Sequence, residues 1–194
     1  MNILKELESC KSIIIENRRK EKERNMIMQR YNQLYRIIPT DKQLEVIESK
    51  NKIIETTFER REGCSTAAMI KAIEYAINNQ GSRVLLVSYN RMTSRIRTDE
   101  IINMLSNSNL NRHVFRTTRN PNTIEFLNGS RINIIGRNIE HFRGAAVDCL
   151  IIDGKRYLSK DELDCSICCT LHKNDTQVVI LDQVDLMNGQ PINI

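Results

Sequence analysis

The chain has 194 residues, 40% of them hydrophobic and 27% charged, with seven Gly, three Pro and a formal charge of +5. That length suits one α/β domain with a full core, and the composition excludes a disordered or collagen-like polymer. Apolar runs such as Ile13-Ile14-Ile15 fall far short of the roughly 18 residues of a membrane span, and no leader pattern opens the sequence, so a non-secreted protein with no membrane partner is expected.

In chain order, residues 2–37 read as a helix, with Leu4, Leu7, Ile14, Tyr31, Leu34 and Ile38 loosely along one side. Within it "ENRRKEKERN" contains no apolar residue, the mark of a solvated or partner-seeking arm. Pro39 ends this helix, and Thr40 with Gln43 forms a capping box for a second one, "DKQLEVIESK". "KIIETTF" then reads as a strand, 59–65 as a loop, and "TAAMIKAIEYAINNQ" as an amphipathic helix closed by Gly81. "RVLLVSY" is a buried strand, "RMTSRIRTDEIINMLSN" a basic helix, and "NTIEFLNGSRINIIG" two strands around the hairpin signal Asn128-Gly129. "VDCLIID", a helix over about 159–171 and the strand "TQVVILD" complete the pattern. Alternating strands and helices predict an α/β fold, a mostly parallel sheet flanked by helices and interrupted by an antiparallel hairpin. Residues 1–38 are expected to form a charged helical arm, and 39–194 the domain.

The chemistry gathers in "ERREGCST", between the first strand and its helix. In a phosphate loop, backbone N–H groups after a Gly wrap a phosphate, a Lys reaches the outer phosphates, and a Ser or Thr hydroxyl holds magnesium. Gly63, Ser65 and Thr66 fit this scheme, while Cys64 stands in the place of the Lys. A later apolar strand ends in Asp153, where such an ATPase places the carboxylate that organises magnesium.

These features together resemble the ATPase domain of the large terminase subunit, the DNA-packaging motor of tailed phages. The likeness spans about residues 40–189. Gln43 matches the family's base-contacting Gln, and Arg60, Gly63, Ser65 and Thr66 match its phosphate loop. "IEFLNGSRINIIG" matches its hairpin, and Arg143-Gly144 the segment before its magnesium-binding strand. The resemblance implies a P-loop NTPase-like fold, with ATP and magnesium as cofactors. Ser65 and Asp153 would hold the metal, and Arg60 and Asp153 would take part if the site is active. It also implies a phage protein in the host bacterial cytoplasm or associated with the virion, with DNA or a packaging-motor protein as partner, alone or as a homo- or hetero-oligomer.

The departures fall on the chemical positions. A thiol cannot supply the charge of the missing Lys, and Gly154 stands where the family has the Glu that activates water. After the last strand the chain reads "LDQVDLMNGQP" rather than the family's Thr-rich coupling segment. Phosphoryl transfer rests on positioning and electrostatics, and losing one such group typically costs about 10²–10³ in rate. The expected function is therefore a hydrolysis-deficient module that binds or regulates. The alternatives are an atypical ATPase whose partner chain completes the site, with Arg60, Arg61 or Lys71 as displaced cations, and an unrelated α/β turn. No nuclease domain is expected: Asp161, Glu162, Asp164, Asp175, Asp182 and Asp185 read as residues solvating helix and loop surfaces.

Two further groups stand out. Ten Arg and no Lys lie in 83–143, against four acidic residues. Arg suits bidentate phosphate contacts, so Arg91, Arg95, Arg97, Arg116 and Arg119 are candidate contacts to nucleic acid or a partner; a solvated surface with scattered ion pairs is the other reading. Cys165, Cys168, Cys169 and His172 lie close together, but a helix cannot point all four at one ion, so reduced, core- or groove-facing thiols are expected rather than zinc.

Overall fold

The computed structural model describes residues 3–138, 146–170 and 176–184, with side chains from residue 13 onward. Its backbone divides into two compact units, 1–39 and 40–194.

The first unit is helix α1, Ile3–Tyr35. Its polar stretch is exposed, and Glu16 pairs with Lys20 one turn later at 3.0 Å, the favourable order for an i,i+4 pair. Near its end Tyr31 and Tyr35 stack at 5.9 Å.

The second unit begins with α2, Asp41–Glu48, closed by the expected capping box: the Thr40 hydroxyl accepts from Gln43 N, and Gln43 Oε1 accepts from Thr40 N. There follow β1 (Ile53–Glu59), α3 (Cys64–Asn78), β2 (Arg83–Ser88), α4 (Arg91–Ser106), a 3₁₀ turn, β3 (Val114–Arg119), β4 (Asn122–Phe126), β5 (Arg131–Gly136), β6 (Cys149–Asp153), α5 (Lys160–Cys168) and β7 (Gln177–Val184). Among the described residues the strands form one seven-stranded sheet, β1-β7-β6-β2-β5-β4-β3. From β1 to β5 every pairing is parallel, and β4 and β3 add antiparallel neighbours at one end.

The continuous apolar runs of β2 and β6 are buried because helices cover both faces of the sheet there. On one face Leu85, Val87, Leu150, Ile152, Val178 and Ile180 cluster with Leu163 and Ile167 of α5; α3 packs on β2 and β6. The α/β architecture with a mostly parallel sheet is thus as the sequence indicates. The antiparallel portion is larger than one hairpin, because "VFRTTR" forms the edge strand β3. Its residues are largely exposed and lack the apolar alternation that marks a half-buried strand, so pairing with β4 alone reveals it.

The turn between β4 and β5 does more than reverse the chain. Gly129 adopts φ +80°, and the Asn128 amide donates to the carbonyls of Ala76 and Ile77 at 2.9 and 3.1 Å, satisfying groups that the end of α3 leaves open. Asn128 Oδ1 in turn accepts from Ser130 N and Oγ. Asn128→Ala is expected to lower stability by about 1–3 kcal/mol, as an unsatisfied buried carbonyl does, read by urea denaturation.

Candidate functional site

The site lies at the carboxyl ends of β1 and β6, with β7 between them. Parallel α/β sheets bind ligands beyond such strand ends, where helix N-termini also converge.

The loop from Arg60 to Gly63 is fixed by two contacts to α2. The Glu62 carboxylate accepts from Glu59 N at 2.6 Å and from Lys42 Nζ at 3.1 Å, and the two together hold its pKa below the usual carboxylate value. Gln43 Nε2 donates to the Gly63 carbonyl at 3.0 Å. Gly63 sits at φ +80°, and a Cβ there would lie 2.2 Å from Gln43 Nε2, so this position requires glycine. Gln43, expected at a nucleotide base, is buried and gives one end of its amide to the loop and the other to the α2 cap. Arg60 is exposed, and its N–H pairs with Val184 O at 3.1 Å.

Cys64 opens α3 with its Sγ 3.9 Å from Asp153 Oδ1 and 3.8 Å from Asp182 O. Burial, and then the charges of Asp153 and Asp182, push the thiol up to about 12. The side chain that follows Gly63 is thus neutral and faces one carboxylate and one backbone carbonyl. The raised pKa has a checkable sign: the protonated thiol is favoured in the fold, so its contribution is complete below the ordinary thiol value of 9.0 and is lost as pH rises toward about 12. At about pH 8 iodoacetamide is expected to modify exposed Cys168 while Cys64 and buried Cys149 stay unmodified, which peptide mass mapping reads.

The next residue brings the two expected metal ligands together. Ser65 Oγ donates to Asp153 Oδ1 at 2.9 Å, but a third residue joins them. Arg97, from the second turn of α4, donates from Nε to Asp153 Oδ2 at 3.0 Å, from Nη2 to Ser65 Oγ at 2.6 Å, and from Nη1 to Glu100 at 2.8 Å. Burial pulls the Arg97 pKa down, yet Asp153 and Glu100 outweigh it and the net shift is upward. Sequence grouping sets Arg97 among the surface arginines; in the fold its i,i+3 partner Glu100 and its place on α4 turn it into the loop instead. Thr66 is half-buried in the first turn of α3.

Beside Asp153, Gly154 takes φ +103°, and a Cβ there would meet the Tyr157 ring at 2.6 Å. Tyr157 lies against Tyr89 at 4.5 Å. The space that a side chain at 154 would enter is filled by an aromatic ring. Asp182, read from sequence as a surface carboxylate, instead accepts from Arg156 Nε at 2.9 Å beside Cys64. Lys71 is no displaced phosphate cation: its Nζ donates to the carbonyls of Ile47 and Ser49, closing the end of α2. Arg143, Gly144, His172, Asp175 and Asp185 lie outside the described residues. Cys165 packs against the core, and Cys169 Sγ lies 3.6 Å from Cys165 O. Among the described residues no three His, Cys, Asp or Glu side chains converge on a metal position.

A second feature lies on the sheet face that carries α5, beyond the part that helix covers. There β2, β5, β4, β3 and the start of α4 enclose an open cleft of about 960 Å³, lined among the described residues by seven arginines and one acidic residue, Glu125. Arg116 pairs with Glu125 and Arg119 with Asp99, each at 2.9 Å, and Arg137 lies over the Tyr89 ring. Arg83, Arg91, Arg95 and Arg131 are exposed and make no ion pair among the described residues. The sequence reading missed Arg83, Arg131 and Arg137. Strand alternation, with Arg131, Asn133 and Ile135 on one face, is the signal that could have found Arg131.

No family model matches the chain, and no curated protein matches it by sequence. Solved structures do match its fold. The large terminase ATPase domain of Thermus phage P74-26 aligns at TM-score 0.64 and 17% identity over 79% of this chain and 68% of that one. The HK97 bacteriophage large terminase aligns at TM-score 0.67 and 9% identity, covering 75% of this chain and 33% of its own. The large terminase of the thermophilic bacteriophage D6E aligns at 0.58 and 11% identity, covering 74% and 37%. The chain thus has the P-loop NTPase-like fold of phage large-terminase ATPase domains and spans about a third of the length of the HK97 and D6E proteins. Among the described residues no helix is long and apolar enough to cross a membrane.

Proposed function

We propose that this chain is a terminase-like ATPase-fold protein of a phage that does not hydrolyse ATP and acts as a binding or regulatory module in DNA packaging, in the infected cell or on the virion. The observation that carries the reading is where the positive charge lies. At the phosphate loop the thiol of Cys64 is neutral, Arg97 is engaged by Asp153 and Glu100, and Arg156 by Asp182. None of these groups is left to offset a triphosphate, and the other two cations of the loop, Arg60 and Arg61, are solvent-exposed. On the open sheet face, by contrast, four exposed arginines without ion pairs among the described residues line a cleft.

Among the described residues the cleft lining contains no aromatic ring on which a base could stack. Its chemistry suits the phosphates of duplex DNA, bound without regard to sequence. The packaging motor itself is the other partner that this reading admits.

The test is two measurements on the full chain. Phosphate release from ATP is expected to stay at background. Binding to a fluorescent DNA duplex is expected to weaken steeply with salt, and Arg91→Ala, Arg95→Ala and Arg131→Ala to lower the slope of log affinity against log salt by about 0.9 for each phosphate no longer neutralised. Turnover at an ordinary enzymatic rate that Asp153→Ala abolishes would overturn the loss of hydrolysis. No binding even at low salt would remove DNA as the partner.

A further inference from the structure

The fold implies a nucleotide with magnesium, and the residues here do not fit the metal. A hydroxyl has one proton and two lone pairs. Ser65 spends its proton on Asp153 Oδ1 and accepts from Arg97 Nη2, while Asp153 Oδ2 is taken by Arg97 Nε. Both carboxylate oxygens and the hydroxyl are therefore already bonded. Magnesium demands a near-octahedral shell at about 2.0–2.1 Å, mostly of water, and a planar guanidinium lies across the same atoms.

We propose that Arg97 is the resident cation of this site. Its guanidinium stands in for the divalent ion, closes the phosphate loop to a metal–nucleotide complex, and fastens α4 to the ends of β6 and α3. A loose surface ion pair would not do this, since exposed pairs contribute little. Here Asp153 is 8% and Arg97 19% exposed, all three guanidinium nitrogens are bonded, and Glu100 one turn along α4 holds the side chain in place. A buried charge that loses its partner costs several kcal/mol, so the Asp153 carboxylate needs a cation; this chain provides one from its own α4.

The inference deepens the proposed loss of hydrolysis at the same site, yet it is tested without ATP. The probe is Mn²⁺, followed by the loss of its free-ion EPR signal, together with thermal melts of the full chain with and without Mg²⁺. The natural protein is expected to take up no Mn²⁺ at this site and to melt at the same temperature with or without Mg²⁺. Arg97→Ala is expected to melt lower, to recover part of the loss with Mg²⁺, and to bind Mn²⁺ at least about tenfold more tightly than the natural protein, since the ion repairs an unpaired carboxylate. Adding Asp153→Asn should erase that gain. Arg97→Lys, which keeps a cation, should bind no Mn²⁺, and Arg97→Gln replaces alanine as the neutral variant if Arg97→Ala does not fold. Uptake of Mn²⁺ by the natural protein that Asp153→Asn abolishes would overturn the inference. So would a neutral Arg97 variant that loses stability and gains nothing from either ion, because Arg97 would then be a structural tether only. Mn²⁺ uptake without ATP turnover sinks this inference and leaves the proposed function standing; ATP turnover by the natural protein sinks the proposed function.

Discussion

Gly154→Glu is expected to destabilise the domain by about 2–5 kcal/mol and to restore no ATP hydrolysis, although it writes back the residue that the resemblance implies. Two costs add. The backbone at 154 holds φ +103°, which a residue with a Cβ adopts only under strain, and the Cβ would lie 2.6 and 2.9 Å from Cδ2 and Cε2 of Tyr157. The ring cannot simply swing aside, because Tyr89 lies 4.5 Å from it and the Tyr157 carbonyl accepts from Arg137. For a unit of this size the loss corresponds to a fall of roughly 5–15 °C in Tm, by calorimetry or a dye melt. Tyr157→Ala in the same chain should return the part due to the ring and leave the part due to the backbone. A Gly154→Glu protein as stable as the natural one would show that Tyr157 does not occupy this space.

Asp153→Ala is expected to be nearly as costly, about 2–4 kcal/mol, because it leaves the half-buried Arg97 facing Ser65 with only Glu100 to balance its charge. The sign is the informative part. In a loop with no cation of its own, Asp153 would stand unbalanced near Asp182 and the Cys64 sulfur, and its removal would relieve repulsion and raise stability. A double-mutant cycle with Arg97→Ala, read by urea denaturation, should return a coupling of roughly 1–3 kcal/mol. Coupling near zero would mean that the bonds among Arg97, Asp153 and Ser65 do not matter to folding.

Both variants show why the site is only partly legible in the sequence. That Cys64 and Gly154 stand where the resembled family has Lys and Glu can be read directly, since each is a local difference of one residue type. What replaces them cannot. Tyr157 and Gly154 meet through a left-handed turn, whereas Arg97 reaches Asp153 across 56 residues of sequence and belongs to a helix whose period marks it only as polar. Gln43 is recognisable as a site residue, but its bond to Gly63 O shows that it builds the loop. Lys71 has the look of a spare cation in the sequence, and its two carbonyl partners at the end of α2 give it a structural role instead.

The sequence by itself determined the order of the helices and of every strand but β3, because apolar period, capping residues and turn residues are local. Thr40 with Gln43, Asn128-Gly129 and the buried run of β6 each carry their own signal. It also determined that a neutral side chain follows Gly63. Only the tertiary structure decided that β3 extends the sheet, that arginines from three strands and a helix share one cleft, and that Arg97 rather than any residue of the loop is the cation at Ser65 and Asp153. The physical reason is the same in each case. Strand pairing and charge pairing act between groups brought together by folding, over separations that no local pattern encodes.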